Sequence, residues 1–313
     1  MQIVRYSPDL QPQWDSAVKS SKNGTFLHLR DYMDYHSDRF ADHSLLLCDD
    51  KGNILACLPA CIEGCTLYSH RGLTYGGWII PSKHFTTATM LDCWQLMNEY
   101  LLRHGISTLV YKPSPHIYHS YPAEEDLYTL FRYNATLSAS LVSSAIDLDS
   151  PLPFNENSRR NLKKALAAGI VISTSTDYAE YWNILTRLLC DRYNTSPVHS
   201  LDEIRLLAER FPNNIRLFTA TLHSEIIAGA VIYYTDRVAH AQYIAASPRG
   251  KELNALPLLF RHIIDHECRD CRYFDFGTSC EDKGRYLNSG LIAQKCGMGG
   301  RAIVYNEYTV EIP

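Results

Sequence analysis

The sequence predicts an α/β (α+β) chain of two tandem units, each a mixed, mostly antiparallel sheet flanked by helices. Three observations predict it. The 313 residues amount to about two ordinary domains. Both halves show the same order of stretches: helices, a hairpin, a strand, a long helix, a strand, a helix and a closing strand. The pitch agrees as well, since 28 positions separate Leu109 from Leu137 and 28 separate Tyr273 from Arg301. Pro151-Leu152-Pro153 reads as the linker, giving units at 1–150 and 151–313.

In the first half, residues 2–6 read as a strand and 11–21 and 28–40 as helices. Ser44–Leu47 and Ile54–Ile62 flank Asp49-Asp50-Lys51-Gly52-Asn53, a hairpin signal. Thr66–His70 is a further strand. Met90, Trp94, Met97 and Leu101 recur at helical spacing over 87–104, and Gly105 fits a C-terminal cap. Thr108–Lys112 is a strand stopped by Pro113 and Pro115. A helix at 123–132 and a strand at 136–148 close the half. The second half opens on a basic helix from Asn157 to Gly169, then a strand at 170–173 and helices at 177–193 and 200–211. A hairpin turns at His223-Ser224-Glu225. Strands at 238–246 and 272–277 bracket a helix at 253–268. Residues 282–295 read as mostly helix, and 302–311 as the last strand.

Composition narrows the function. Lys and Arg number 30 against 34 Asp and Glu, with no run of five basic residues, which argues against duplex DNA as a partner. No apolar run is long enough to span a membrane. The first residues, MQIVRYSPDLQPQW, lack the pattern of a secretory signal, so the ten cysteines are expected to be reduced thiols in a cytoplasmic protein. Cys57, Cys61 and Cys65 are too spread along a strand to share one ion, and no metal is expected. No P-loop, dinucleotide glycine fingerprint or Gly-x-Ser-x-Gly elbow occurs.

Four stretches carry a family resemblance. Asn157-Ser158-Arg159-Arg160-Asn161-Leu162-Lys163-Lys164-Ala165 is a basic helix opening the second unit. Phe274-Asp275-Phe276-Gly277 ends a strand. Asn288-Ser289-Gly290-Leu291 is followed by Gln294-Lys295-Cys296-Gly297 before the closing strand. Tyr75-Gly76-Gly77 is a glycine turn in the first unit. In this order they resemble the Fem-type aminoacyltransferases and related tandem GNAT-fold (Gcn5-related N-acetyltransferase) proteins, across essentially the whole chain. The GNAT phosphate loop, Arg/Gln-x-x-Gly-x-Gly/Ala, is only partly present in Ala246–Ala255. It has no counterpart in Ile80–Phe85, so the resemblance implies an acyl-donor site in the second unit alone.

That resemblance implies N-acyl transfer from acetyl-CoA or another acyl-CoA to an amine on a small molecule or a nucleotide- or lipid-linked carrier, such as a cell-wall or surface-polysaccharide precursor. An aminoacyl-tRNA donor is the Fem-type alternative, and a non-catalytic binding protein is the rival class. In the fold, two strands part to admit the acyl group, and the next helix aims its N-terminus at phosphates. Here those strands are 243–246 and 272–277. The implied donor contacts are Ala245, Ala246, Ser247, Arg249, Gly250, Asn254 and Ala255, with Asn254 equally readable as a plain helix cap. Tyr286 is the candidate acid, on the spacing Tyr286-x-x-x-Gly290-Leu291. Asp275 faces away from Phe274 and Phe276 and is either a base in the cleft or a buried carboxylate held by main-chain amides. Arg160 and Lys164, one helical turn apart, either grip an acceptor phosphate or form a solvated face. Tyr75, Gly76, Gly77 and Tyr243 complete the expected substrate contacts.

Overall fold

The computed structural model describes residues 1–81 and 83–312. Ser82, inside the Ile80–Phe85 stretch discussed above, lies outside the described residues. The chain forms two compact units that do not divide at a single point. The first takes Met1–Val142, Cys280–Tyr286 and the chain from Val304 onward; the second takes Ser143–Ser279 and Leu287–Ile303.

The first unit begins with β1 (Gln2–Arg5), α1 (Gln11–Lys19) and α2 (Arg30–Met33). The helix expected over 28–40 is broken: Leu29 is extended (φ −70°, ψ 143°), and only one α turn and short 3-10 turns follow. Next come β2 (Leu45–Cys48), β3 (Ile54–Leu58), β4 (Cys61–Glu63) and β5 (Thr66–Tyr68). Helix α3 (Thr87–Arg103) is capped by the Thr86 hydroxyl, and it buries Met90, Cys93, Trp94, Met97 and Leu101 at helical spacing. Strand β6 (Thr108–Tyr111) and α4 (Glu125–Arg132) follow. β1, β2 and β3 make one antiparallel sheet. In the other, β5 pairs with β4 on one side and, in parallel, with β6 on the other.

The second unit continues from β7 (Thr136–Asp147) into α5 (Glu156–Ala167), β8 (Val171–Ser175), α6 (Tyr178–Tyr193) and α7 (Leu201–Arg210). Strands β9 (Ile215–Leu222) and β10 (Glu225–Tyr234) form a hairpin whose two turn residues, His223 and Ser224, both take positive φ, the twist-matched hairpin geometry. β11 (Val238–Ala246) leads to a short helix that was not expected, α8 (Pro248–Glu252), and then to α9 (Ala255–His266), the helix expected over 253–268; Asn254, at φ 56°, separates the two. β12 (Tyr273–Thr278) is followed by the short pair β13 (Cys280–Glu281) and β14 (Tyr286–Leu287). Asp282, Lys283 and Gly284 all have positive φ, so the expected 282–295 helix starts only at α10 (Ser289–Gly297), capped by Asn288. The chain ends in β15 (Arg301–Glu311).

The units exchange their closing strands. Ala145, Ile146 and Asp147, at the end of β7, pair with β12 inside the second unit, while Tyr308–Glu311 of β15 pair with β6 inside the first. Each unit has its own core. Trp78, Trp94, Met97, Leu109 and Tyr111 fill the first, and Phe218, Ile232, Leu259, Phe260, Phe274 and Phe276 fill the second. All ten cysteines are free. No helix among the described residues is long and apolar enough to cross a membrane.

Candidate active site

The strands expected to part do so, for a local reason. β11 and β12 run parallel and pair at Val238–Tyr273, Ala239–Phe274 and His240–Asp275, after which no further register exists between them. Each strand carries an irregularity just beyond. On β11, Ala241 and Tyr243 face consecutive residues of β10, leaving Gln242 as a bulge. On β12, Asp275 pairs with Ala145 but Thr278 with Ser143, so Phe276 and Gly277 are bulged as well. Gly277 takes φ 77°, which its missing Cβ permits. Bulges bend a strand and raise its twist, so two at one seam open it. The buried Lys295 of α10 donates to the carbonyls of Gly277 and Thr278, each at 2.8 Å, and satisfies groups that have left the ladder.

The equivalent seam in the first unit is closed. Past the Tyr68–Val110 pair, Ser69 N–H donates to the Val110 carbonyl, Lys112 N–H to the Ser69 hydroxyl and Gly76 N–H to the Lys112 carbonyl, at 2.7–2.8 Å. This explains the glycine turn. A Cβ on Gly76 would sit 2.2 Å from the Ser69 carbonyl oxygen, and Gly77 has φ 79° with the Tyr111 hydroxyl 2.8 Å from its Cβ position. Tyr75 is buried, with its hydroxyl bonded to Thr25. All three residues are thus taken up by packing within the unit, and none offers a free face to a substrate.

Beside the open seam lies a cleft of about 500 Å³. Its floor is Ala246, Gly250 and Ala255. One wall is the start of α5, through Asn155, Asn157, Ser158 and Asn161. The other is α10, through Gly290, Ala293, Gln294 and Gly297. Gly297 lets α10 pack close against α5, since a Cβ there would come within 3.0 Å of Asn155 and Ser158, whereas Gly290 faces open space with nothing nearer than 3.8 Å. The lining holds one cation, Lys251, and no carboxylate. Helices α5 and α10 are capped by Asn155 and Asn288, but α9 has no side-chain cap. Asn254 occupies the capping position and its amide donates instead to the Glu252 carbonyl. The first turn offers only the N–H groups of Ala255 and Leu256, since Pro257 has none, and these together with the helix dipole favour an anion there.

Of the expected donor contacts, the cleft therefore gathers Ala246, Gly250, Asn254 and Ala255. The others have separate uses. Ala245 is buried opposite Gly229. Ser247 gives its N–H to the Ile227 carbonyl and caps α8 with its hydroxyl. Arg249 pairs with Glu252 at 3.0 Å on the surface. Gly250 is also a packing requirement, since a Cβ there would lie 2.1 Å from the Ile227 carbonyl oxygen. Arg160 and Lys164 are exposed on α5 outside the lining. Tyr243 is buried, hydrogen-bonded to His199 and edge-on to Trp182. Tyr286, expected on a helix, stands on β14 with 57% exposure and does not line the cleft. Asp275 is fully buried, and of its two readings the buried one holds: it accepts from Gly277 N–H at 3.1 Å, from the Ser143 hydroxyl, and bonds His240 at 2.9 Å.

The α5 and α10 stretches stand out in the sequence only as motifs, with none of Asn157, Ser158, Asn161, Gly290, Gln294 or Gly297 assigned to the site, and the Gln242 bulge and His240 were not expected at all. Asn157 and Asn161 are a helical turn apart, a usable signal; the bulge and the His240–Asp275 pairing depend on register and leave none.

Residues 154–286 match the acetyltransferase (GNAT) domain family. No curated protein matches the sequence. Among solved structures, FemX aligns over 99% of this chain and 97% of its own with a TM-score of 0.70 at 12% identity. L-PGS from Bacillus licheniformis aligns over 97% and 91% with a TM-score of 0.62 at 10% identity. A tandem GNAT protein from the clavulanic acid biosynthesis pathway aligns over 100% and 98% with a TM-score of 0.54 at 13% identity. On these grounds the chain has a tandem GNAT-like fold similar to that of FemX, and its residues 154–286 match the acetyltransferase (GNAT) domain family.

Proposed function

We propose that the protein is an N-acyltransferase whose second unit holds an acyl-CoA, acetyl-CoA foremost, and whose acceptor is an amine. The observation that carries this is the parted β11–β12 seam beside the uncapped start of α9. The donor's phosphates would meet the N–H groups of Ala255 and Leu256 at the start of α9 and the Lys251 ammonium, and its thioester would reach the opening past Ala246. Main-chain groups released from the ladder would face the carbonyl and stabilise the charge that develops on it. The amine nitrogen bonds to the carbonyl carbon, the carbon–sulfur bond breaks, and the thiolate leaves without needing an acid, so an exposed Tyr286 is dispensable. The acceptor would be an amine on a small molecule or on a nucleotide- or lipid-linked carrier, such as an amino sugar or a cell-wall peptide precursor; Arg160 and Lys164, exposed on α5, stand on the donor's side of the sheet.

The fold likeness to FemX and L-PGS favours an aminoacyl-tRNA donor as a second reading. Against it, α6 and α7 are only 16 and 10 residues long, with no helical arm between them. Isothermal titration with acetyl-CoA and with desulfo-CoA, together with thermal unfolding, tests the proposal. Saturable heat and a raised Tm are expected. Their absence would favour the tRNA-dependent reading or a fold that kept its shape and lost its chemistry.

A further inference from the structure

The parted seam has two faces, and the donor cleft occupies one of them. Ala239 and Ala241 of β11 and Phe274 and Phe276 of β12 turn toward α9, into the core beneath the cleft. Alternation sends His240 and Asp275 to the opposite face, the one covered by α6, where Tyr181 lies on Gly229 and Trp182 on Tyr243. His240 and Asp275 also form the last pair of the seam, so they stand where the strands begin to part.

The Asp275 carboxylate is fully buried and surrounded by donors. Oδ1 accepts from the Ser143 hydroxyl and from Gly277 N–H, and Oδ2 lies 2.9 Å from His240 Nδ1. An acceptor at that distance fixes the proton of the neutral imidazole on Nδ1 and leaves the lone pair on Nε2. Nε2 has no partner among the described residues, and the side chain keeps 13% of its surface exposed. The ring edge carrying Cε1 is 3.6 Å from the place a Cβ would take on Gly277. The glycine at the bulge thus leaves the imidazole room beside the opening.

We infer that His240 is the general base of the transfer and Asp275 its positioning residue, with the acceptor amine arriving from the α6 face while the donor lies on the α9 face. This rests on the acyltransferase reading above. As the amine nitrogen bonds to the carbonyl carbon, its proton passes to His240 Nε2. The thiolate departs with the electrons of the carbon–sulfur bond, and the imidazolium returns its proton to solvent. Asp275 holds the imidazole in the tautomer that can accept, and it stabilises the cation formed.

Bromoacetyl-CoA tests the placement on the intact wild-type protein. Bound in the donor cleft, it offers an electrophilic carbon at the opening. The Nε2 lone pair displaces bromide and leaves an alkylated imidazole, which peptide mass spectrometry locates. The expected result is modification of His240, suppressed by excess CoA and slowed about tenfold or more in Asp275→Asn, whose amide no longer enforces one tautomer. Modification elsewhere with His240 untouched, or equal rates in wild type and Asp275→Asn, would overturn the inference and leave the donor site standing. Titration with CoA, run alongside on both proteins, separates the two questions: a wild type that binds no CoA removes the acyl-CoA reading and this inference together.

Discussion

Gly250 and Gly290 both line the donor cleft, yet their surroundings differ completely. A methyl on Gly250 would lie 2.1 Å from the Ile227 carbonyl oxygen, whereas Gly290 has nothing closer than 3.8 Å. Gly250→Ala should cost about 1–3 kcal/mol in urea unfolding through a forced shift of α8 or β10. Gly290→Ala should leave stability within about 1 kcal/mol and raise the KM for the donor by narrowing the cleft. Tyr286→Phe, at an exposed hydroxyl outside the lining, should leave kcat within about twofold, since no transition-state contact is lost. At this scale the sequence was informative about direction and silent about partners. The apolar residues flanking Asp275 already turned its carboxylate away from the core. His240 comes from another strand 35 positions earlier, and only the register of a parallel pair brings the two together.

Among the elements, α9 carries the proposed anion site because its first turn lacks a side-chain cap. Lys251 is the one cation in the lining, so Lys251→Glu should weaken CoA binding by about 1–2 kcal/mol, roughly five- to thirtyfold in Kd. Arg249→Ala should change it little, because that guanidinium is engaged by Glu252. Isothermal titration of both variants checks the contrast, and equal losses would place the phosphates elsewhere. The long periodic helix α3 was readable from spacing alone. The breaks were not. Asn254, Asp282 and Lys283 adopt positive φ without being glycine, and their side chains gave no warning that a separate short helix would precede α9 and that α10 would begin late.

Across the whole molecule, the repeat was legible in the order and pitch of the elements, but the exchange of closing strands was not, because pairing between distant segments leaves no local pattern. A fragment of residues 151–313 would lack the Ser143–Asp147 strand that pairs with β12 and carries Ile146 into the second core. It should show no cooperative melt by circular dichroism, and a sharp transition near that of the full chain would contradict this. The first unit should also be acid-sensitive. Burial lowers His28, His43 and His119 to about 4 and His70 to about 3. Their folded pKa values lie below the ordinary value near 6.5, so the unfolded chain binds more protons between them. Stability is complete above about pH 6.5 and declines as pH falls toward 4. Buried Asp126, raised to about 6, and Asp34, raised by burial, work in the opposite sense, two carboxyls against four imidazoles. Calorimetry from pH 7.5 to 4.5 should therefore show a falling Tm, and a flat or rising one would mean these imidazoles are not held neutral by the fold.

The most direct test is a crystal structure of the protein grown with CoA. The account predicts the pyrophosphate at the start of α9 near Lys251 and the thiol end directed between β11 and β12 beyond His240. CoA bound against the first unit, or a β11–β12 seam found hydrogen-bonded through residues 243–246, would contradict it.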